Sequence, residues 1–167
     1  MKIKNLLSAV LFLFFASYFA QNTIEVMSFN IRLGSVDDGE NHWNIRKDKV
    51  KDLINYYEAD FVGLQEAQKP QINYLLENNS LYSFLGKPRD DGENAEFSCI
   101  FYLKNKYKVL EQNTFWLSET PEKSTKSWDA AYPRIVTYAL FENIKTKKKV
   151  WVFNTHFDHV GMVARQK

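Results

Sequence analysis

The sequence predicts a mixed α/β domain built in layers. Three observations predict it: short apolar runs typical of strands, two stretches with apolar residues near the helical period, and an order in which a β-α-β-α series precedes consecutive strands. The chain has 167 residues, of which 45% are hydrophobic and 25% charged, the balance of a folded globular chain. This length favours one domain.

The first 20 residues are predicted to be a secretory signal peptide. Lys2 and Lys4 precede the apolar run Leu6 to Phe15, and small residues return between Ala16 and Ala20. The apolar run is shorter than the roughly 20 residues that a spanning helix needs, so no membrane span is expected in the mature chain. We therefore expect cleavage after Ala20 and export to the periplasm or the extracellular space.

The charge balance argues against a long nucleic acid as the main partner. Without residues 1–20, which carry two lysines and no acidic residue, the 22 basic residues fall to 20 and equal the 20 acidic ones. Proteins that bind long nucleic acids usually have a basic excess, so no strongly basic surface is expected. The only cysteine, Cys99, excludes an internal disulfide, and its apolar neighbours predict a buried thiol.

The first half of the mature chain predicts two strands and two helices. Residues 24–31 (IEVMSFNI) form a strand that ends in polar residues, and residues 60–65 (DFVGLQ) form a nearly all-apolar strand with Glu66 at its end. Pro70 suits the first turn of the second helix. The first helix, over residues 43–57, has an apolar stripe that comprises Trp43, Val50, Leu53, Ile54 and Tyr57.

The second half of the chain predicts strands in succession. Apolar and β-branched runs occupy four segments, and a polar turn at residues 143–147 predicts that the last two strands are antiparallel. The four predicted strands span residues 98–103, 107–117, 134–141 and 150–157.

Polar or charged side chains stand at the ends of four of these strands. They are Asn30, Glu66, Arg134 and His156. Layered α/β folds build their sites from groups that several strands deliver to one edge. We therefore expect these four side chains to meet at one rim of the domain.

Six segments of the chain resemble the endonuclease/exonuclease/phosphatase superfamily, which has the DNase I-like fold. The similarity is greatest to its exported bacterial hydrolases and extends over residues 24–167. The segments are MSFNIR at 27–32, GLQE at 63–66, EFSCIFY at 96–102, FWLSETP at 115–121, WDAAYPRIVTYALF at 128–141 and FNTHFDHVG at 153–161.

The resemblance implies a four-layered α/β sandwich, with two packed mixed sheets and outer helices. It also implies a phosphoester hydrolase that uses Mg²⁺ or Mn²⁺, acting on nucleic acid, phospholipid or sugar phosphate. Mg²⁺ prefers hard oxygen ligands and keeps several waters, so one carboxylate and substrate oxygens suffice to bind it.

The resemblance assigns a role to five residues. Glu66 corresponds to the metal-binding carboxylate, and Asn30 to the amide that orients the metal or the phosphate. Arg134 corresponds to the arginine that supports the phosphate site. His156 corresponds to the histidine beside the scissile phosphate, and Glu96 to the glutamate paired with that histidine.

The chain departs from the family pattern in its length. Family domains run to roughly 250 residues, the size of one large domain. The Gly-Asp-Phe-Asn and terminal Ser-Asp-His segments of the family have no match here, and Asp158-His159 belongs to a strand exit instead. We therefore expect residues 21–167 to be the N-terminal part of the sandwich, an incomplete domain that is inactive as it stands.

Two other functions remain open from the sequence. His156, Asp158 and His159 lie within four residues and partly resemble the zinc motif of metallo-β-lactamase-like hydrolases. An exported, aromatic-rich chain is also compatible with a glycan-binding module that uses tryptophans as stacking platforms. The tryptophans are Trp43, Trp116, Trp128 and Trp151.

Overall fold

The computed structural model describes residues 23–167, so the predicted signal peptide lies outside the described residues. Within this range the mixed α/β fold is confirmed, and neither α-helix has the length and apolar character needed to cross a membrane. A short 3-10 helix, Gly39–Asn41, precedes the first α-helix. The other elements are β1 Val26–Asn30, α1 Trp43–Tyr57, β2 Phe61–Gln68, α2 Lys69–Glu77, β3 Tyr82–Leu85, β4 Glu96–Leu103, β5 Tyr107–Trp116, β6 Ile135–Asn143 and β7 Lys149–Thr155.

Two sheets form the centre of the described structure. The first sheet has the strand order β1-β2-β4-β3, with β1 parallel to β2 and the other neighbours antiparallel. The second sheet has the order β5-β6-β7 and is antiparallel throughout. The turn at residues 143–147 predicted the antiparallel pairing of β6 with β7. Apolar side chains from both sheets pack against each other in between: Phe61, Leu85, Ile100, Tyr107, Ala139 and Phe141.

The helices cover the other face of the first sheet. Trp43, Val50 and Ile54 of α1 are buried in the same cluster as Val62 and Leu64 of β2. Burial of a large apolar side chain stabilises the fold by roughly 1.5–3 kcal/mol, so these contacts hold the helix on the sheet. Cys99 lies in the same cluster, and burial raises the pKa of its thiol to about 12.

Two residues of the predicted α1 stripe are not buried. Leu53 is 40% exposed and Tyr57 is 55% exposed. Leu53 lies on the flank of the stripe that Val50 and Ile54 define, and Tyr57 is the last residue of the helix. At 100° per residue, a helix that packs on a sheet buries only the centre of its apolar stripe.

The outer face of the second sheet carries a cluster of aromatic rings, which we call the outer aromatic face. Its members are Phe115, Tyr138, Trp151 and Phe153, with neighbouring ring centroids 5.6–6.1 Å apart. Trp151 is 45% and Phe153 62% exposed. Residues 23–167 therefore form three layers of the predicted four-layered sandwich: helices, first sheet and second sheet.

Candidate active site

A cleft of about 440 Å³ opens at one end of the two sheets. Glu66, Glu96, Arg134 and His156 line it, so four of the five residues with a predicted role meet there. The fifth, Asn30, is hydrogen-bonded to Glu66. His159, which the alternative zinc motif included, also lines the cleft. Further lining residues, which the sequence did not single out, are Arg32, Leu33, Arg89 and Tyr132.

A β-bulge in β2 directs Glu66 into the cleft. Between the pairs Leu64–Cys99 and Ala67–Phe97, two residues of β2 stand opposite one residue of β4. Glu66 has a φ of 57°, in the left-handed region that side chains rarely adopt. Leu64 and Ala67 both pack in the helix-side core, and Glu66 is left free to face the cleft. Glu66 therefore lies inside β2, and its predicted place at the strand end is wrong.

Neighbouring donors fix the Glu66 carboxylate. Asn30 Nδ2 donates to Glu66 Oε1 at 2.8 Å, and the Leu33 backbone N–H donates to Oε2 at 3.2 Å. The Asn30 side-chain oxygen Oδ1 accepts from the Arg32 backbone N–H at 2.9 Å. The parallel pairing of β1 and β2 places Asn30 opposite Gln65, so both strands deliver their polar ends together. Asn30 thus orients the carboxylate.

The donor chemistry around Glu66 fits a hard divalent cation. The Glu66 side chain is 16% exposed and faces the open cleft. In the described part of the chain, no three His, Cys, Asp or Glu side chains are arranged to enclose a metal ion. A site with a single carboxylate is the arrangement by which Mg²⁺ binds while it keeps waters and substrate oxygens. Glu66 would hold such an ion, and Asn30 would support it.

Asp158 holds Arg134 at the cleft wall. Arg134 is 6% and Asp158 4% exposed, and Arg134 Nε donates to Asp158 Oδ2 at 3.2 Å. Burial opposes ionisation of the Asp158 carboxyl, but backbone N–H donors overcome this and hold its pKa well below the usual range. These backbone donors are Ala131, Tyr132, Val160 and Gly161.

The hydrogen bonds around Arg134 and Asp158 engage donor atoms that the alternative zinc motif would need. The Asp158 oxygens are occupied by N–H donors, and His159 Nδ1 lies 3.2 Å from Arg134 Nη2. A zinc ligand must instead point its lone pair at the metal. His156, Asp158 and His159 therefore do not form a metal-binding group in the described structure.

The expected pair between Glu96 and His156 is not formed. Glu96 Oε1 lies 2.7 Å from Arg89 Nη2, and the ion-pair partners are 12% and 14% exposed. His156 Nδ1 is buried and has no hydrogen-bond partner among the described residues. Glu96 pairs with Arg89 instead, because the guanidinium carries a full positive charge and a neutral imidazole does not.

Burial shifts the pKa values of both Glu96 and His156. Burial raises the pKa of Glu96, and the charge of Arg89 opposes that rise. Burial also lowers the pKa of His156, and the positive charge of Arg134 lowers it further. Both effects favour the neutral form of the His156 imidazole, and a neutral imidazole keeps one N–H that can donate.

Asn154 ties the two sheets together beneath the cleft. Its Nδ2 donates to the carbonyl oxygens of Leu64 and Cys99 at 2.9 and 2.8 Å. A Cβ atom at Gly63 would lie 2.7 Å from Asn154 Oδ1, so only glycine leaves room for this contact. Glycine within an apolar strand marks such close approaches, which is the signal that points to it in the sequence.

Two of the four tryptophans considered as glycan platforms are exposed. Trp43 is buried in the helix-side core and Trp116 is half-buried. Trp128 is 41% and Trp151 is 45% exposed. None of the four lines the cleft.

The chain is similar to solved structures over most of its length. It is 42% identical to the endonuclease/exonuclease/phosphatase from Bacteroides vulgatus, with a TM-score of 0.82, covering 86% of this chain and 56% of that one. It is 35% identical to a mannosyl-6-phosphatase from Bacteroides thetaiotaomicron, with a TM-score of 0.81, covering 86% and 55%. The chain has the DNase I-like fold of the endonuclease/exonuclease/phosphatase superfamily.

The similarity spans only part of each relative. An uncharacterised protein of Acanthamoeba polyphaga mimivirus is 28% identical over 124 residues, which cover 70% of this chain and 46% of the viral protein. The chain thus spans about half the length of the relatives it matches. No family model matches the chain.

Proposed function

We propose that the protein is a metal-dependent phosphoester hydrolase whose active site is the cleft around Glu66. The observation that carries the proposal is the meeting of Glu66, Arg134 and His156 in one cleft, delivered by different strands and loops. Metal-assisted phosphoester hydrolysis needs a carboxylate for the cation, a positive group for the phosphoryl oxygens and a hydrogen-bond donor.

Each residue supplies one part of this chemistry. The Arg134 guanidinium, fixed by Asp158, binds the phosphoryl oxygens. His156 donates a hydrogen bond to a phosphoryl oxygen or to the leaving group. Glu66, oriented by Asn30, would hold Mg²⁺ or Mn²⁺. When bound, the cation neutralises negative charge on the phosphoryl and leaving-group oxygens.

A sugar phosphate is the substrate class with the most support. One relative is named a mannosyl-6-phosphatase and is 35% identical. The cleft has the volume of a small-molecule site. The mature chain has no excess of basic residues for a long nucleic acid. Together with the predicted signal peptide, these observations support the proposal of an exported phosphatase of sugar phosphates.

The experiment is an activity panel with a protein that spans the whole length of the solved relatives, here called the full-length protein, because residues 21–167 are expected to be inactive alone. Mannose 6-phosphate, a phosphodiester, DNA and RNA are each incubated with Mg²⁺, with Mn²⁺ and with a chelator. We expect metal-dependent release of phosphate from the sugar phosphate, and a rate about 10²–10⁴-fold lower in His156→Ala. No turnover of any phosphoester with either metal, or a rate unchanged in His156→Ala, would overturn the proposal.

A further inference from the structure

Two arginines from separate loops meet at one aromatic ring in the cleft wall. The Arg89 guanidinium carbon lies 5.0 Å from the centre of the Tyr132 ring, and that of Arg134 lies 5.9 Å from the same centre. Arg89 belongs to the loop between β3 and β4, whereas Arg134 immediately precedes β6. Stacking on an aromatic face fixes a guanidinium and limits its hydration. Tyr132 therefore holds both positive groups at one side of the cleft.

The backbone of Arg89 is fixed from three directions. Its N–H donates to the Glu96 carbonyl oxygen at 2.9 Å. Its carbonyl oxygen accepts from Trp116 Nε1 and from Ser124 Oγ, each at 2.7 Å. Glu96 lies on the first sheet, Trp116 on the second sheet and Ser124 in another loop, so the backbone of Arg89 is anchored to three separate parts of the fold. These bonds place the side chain of Arg89 in the cleft with little freedom.

Both guanidinium groups keep a free edge. Arg134 uses Nε on Asp158 and Nη2 on His159, whereas Arg89 uses Nε on Asp90 and Nη2 on Glu96. The Nη1 group of each arginine has no hydrogen-bond partner among residues 23–167. Both arginines therefore retain N–H donors for an anion.

The charge of the cleft favours a doubly charged anion. Its charged lining residues are three arginines and two glutamates, and a cation on Glu66 would add two positive charges. A phosphomonoester carries nearly two negative charges at neutral pH on three terminal oxygens. A phosphodiester carries one charge on two such oxygens. Arg134 can serve either group, and the additional charged oxygen of a monoester gives a second arginine a further acceptor.

We propose that Arg89 is the specificity-determining residue that recognises the terminal dianion of a phosphomonoester. The inference rests on the proposed function and extends it, because it selects monoesters over diesters at the same site. Arg89 donates through its free edge to the oxygen that a diester would carry as an ester link. Charge-assisted hydrogen bonds from a guanidinium fork to phosphate are among the stronger polar contacts in proteins.

The test compares two substrates with the same leaving group, p-nitrophenyl phosphate and bis(p-nitrophenyl) phosphate. Arg89→Gln should lower kcat/KM for the monoester about 10- to 100-fold more than for the diester, mainly through KM. Arg89→Lys should recover part of the loss, because it restores the charge without the planar fork. Lys87→Gln removes the same charge from the same loop at an exposed position and should leave both substrates unaffected.

A binding measurement separates this inference from the proposed function. Inorganic phosphate is titrated calorimetrically into the wild-type protein and Arg89→Gln, with circular dichroism to confirm that both are folded. Phosphate binding that weakens about tenfold or more in Arg89→Gln supports the subsite even if no phosphoester is hydrolysed. Equal phosphate affinity in the two proteins, or equal losses of kcat/KM on monoester and diester, would overturn the assignment of Arg89.

Discussion

Gln65 on β2 and Asn154 on β7 are joined by a hydrogen bond of 2.7 Å that crosses from one sheet to the other. Gln65 is 7% and Asn154 7% exposed, so the bond lies in a water-poor interior. Glu66 is the next residue after Gln65, and His156 follows two residues after Asn154. The contact between the sheets therefore fixes the distance between the carboxylate and the imidazole at the cleft.

Removal of this contact should weaken both stability and the site. In Asn154→Ala, the Leu64 and Cys99 carbonyl oxygens lose their donor, and the free energy of unfolding should fall by about 2–3 kcal/mol. Urea denaturation measures this, and exposed Gln112→Ala on β5 is the control. A loss below about 0.5 kcal/mol, the usual effect of a surface substitution, would show that the contact is dispensable.

Replacement of the buried Asp158 carboxylate should produce a pH-dependent loss of stability. Because folding lowers the pKa of Asp158 below 3.8, the ionised carboxylate contributes stability above that pH, and the contribution disappears as the pH falls through the folded value. Asp158→Asn should therefore cost about 3 kcal/mol at neutral pH, as for a broken buried ion pair.

Unfolding curves between pH 7 and pH 3 check this prediction, with exposed Asp91→Asn as the control. The difference between wild type and Asp158→Asn should stay constant down to about pH 5 and narrow below 3.8. Since Arg134 loses its fixed partner, phosphoester turnover should fall as well. A stability difference that does not change over this range contradicts the account of Asp158.

Glu96 should be coupled to Arg89 and not to His156. In a double-mutant cycle of thermal unfolding, Arg89→Gln and Glu96→Gln should show a coupling of about 0.5–3 kcal/mol, because their ion pair is largely shielded from water. The cycle of Glu96→Gln with His156→Ala should be additive within about 0.5 kcal/mol. The opposite pattern, with coupling only to His156, would mean that Glu96 pairs with the histidine in solution.

The outer aromatic face should reduce the solubility of residues 21–167 purified alone. Apolar patches on exposed sheets promote association, and β7 is an edge strand of its sheet. The double variant Trp151→Thr, Phe153→Thr should remain monomeric up to a higher protein concentration than the wild type, without loss of strand content. Tyr56→Gln, at an aromatic position 81% exposed on α1, is the control. Equal behaviour of the double variant and wild type in size-exclusion chromatography contradicts this prediction.

Periodicity and apolar runs were enough to predict most of the elements. The predicted helix at residues 43–57 matches α1, and the four predicted strands of the second half match β4 to β7 within a few residues. β3 was not predicted, because it has only four residues and lies at a sheet edge. An alternation of apolar and polar residues over four positions does not distinguish a strand from a loop, and β3 is stabilised mainly by its pairing with β4.

The candidate site was predicted in part, and the reasons for the omissions are physical. Glu66, Arg134 and His156 were found because a polar residue at the end of an apolar strand stands out. The bulge that turns Glu66 depends on pairing between distant strands, which local pattern does not contain. Arg89 lies among acidic and glycine residues that are typical of a solvated loop. Its contacts with Glu96 and Tyr132 arise only from tertiary packing.

The measurement that tests the central proposal most directly is the metal-dependent turnover of Glu66→Gln in the full-length protein. The substitution removes one charge at the cleft and no core volume, so the fold should be retained. We predict that phosphoester hydrolysis by the wild type requires Mg²⁺ or Mn²⁺. The rate should be about a hundredfold or more lower in Glu66→Gln, and unchanged in the control Glu111→Gln at an exposed position. Near-normal turnover of Glu66→Gln at saturating Mg²⁺ would contradict the assignment of Glu66 and of the cleft.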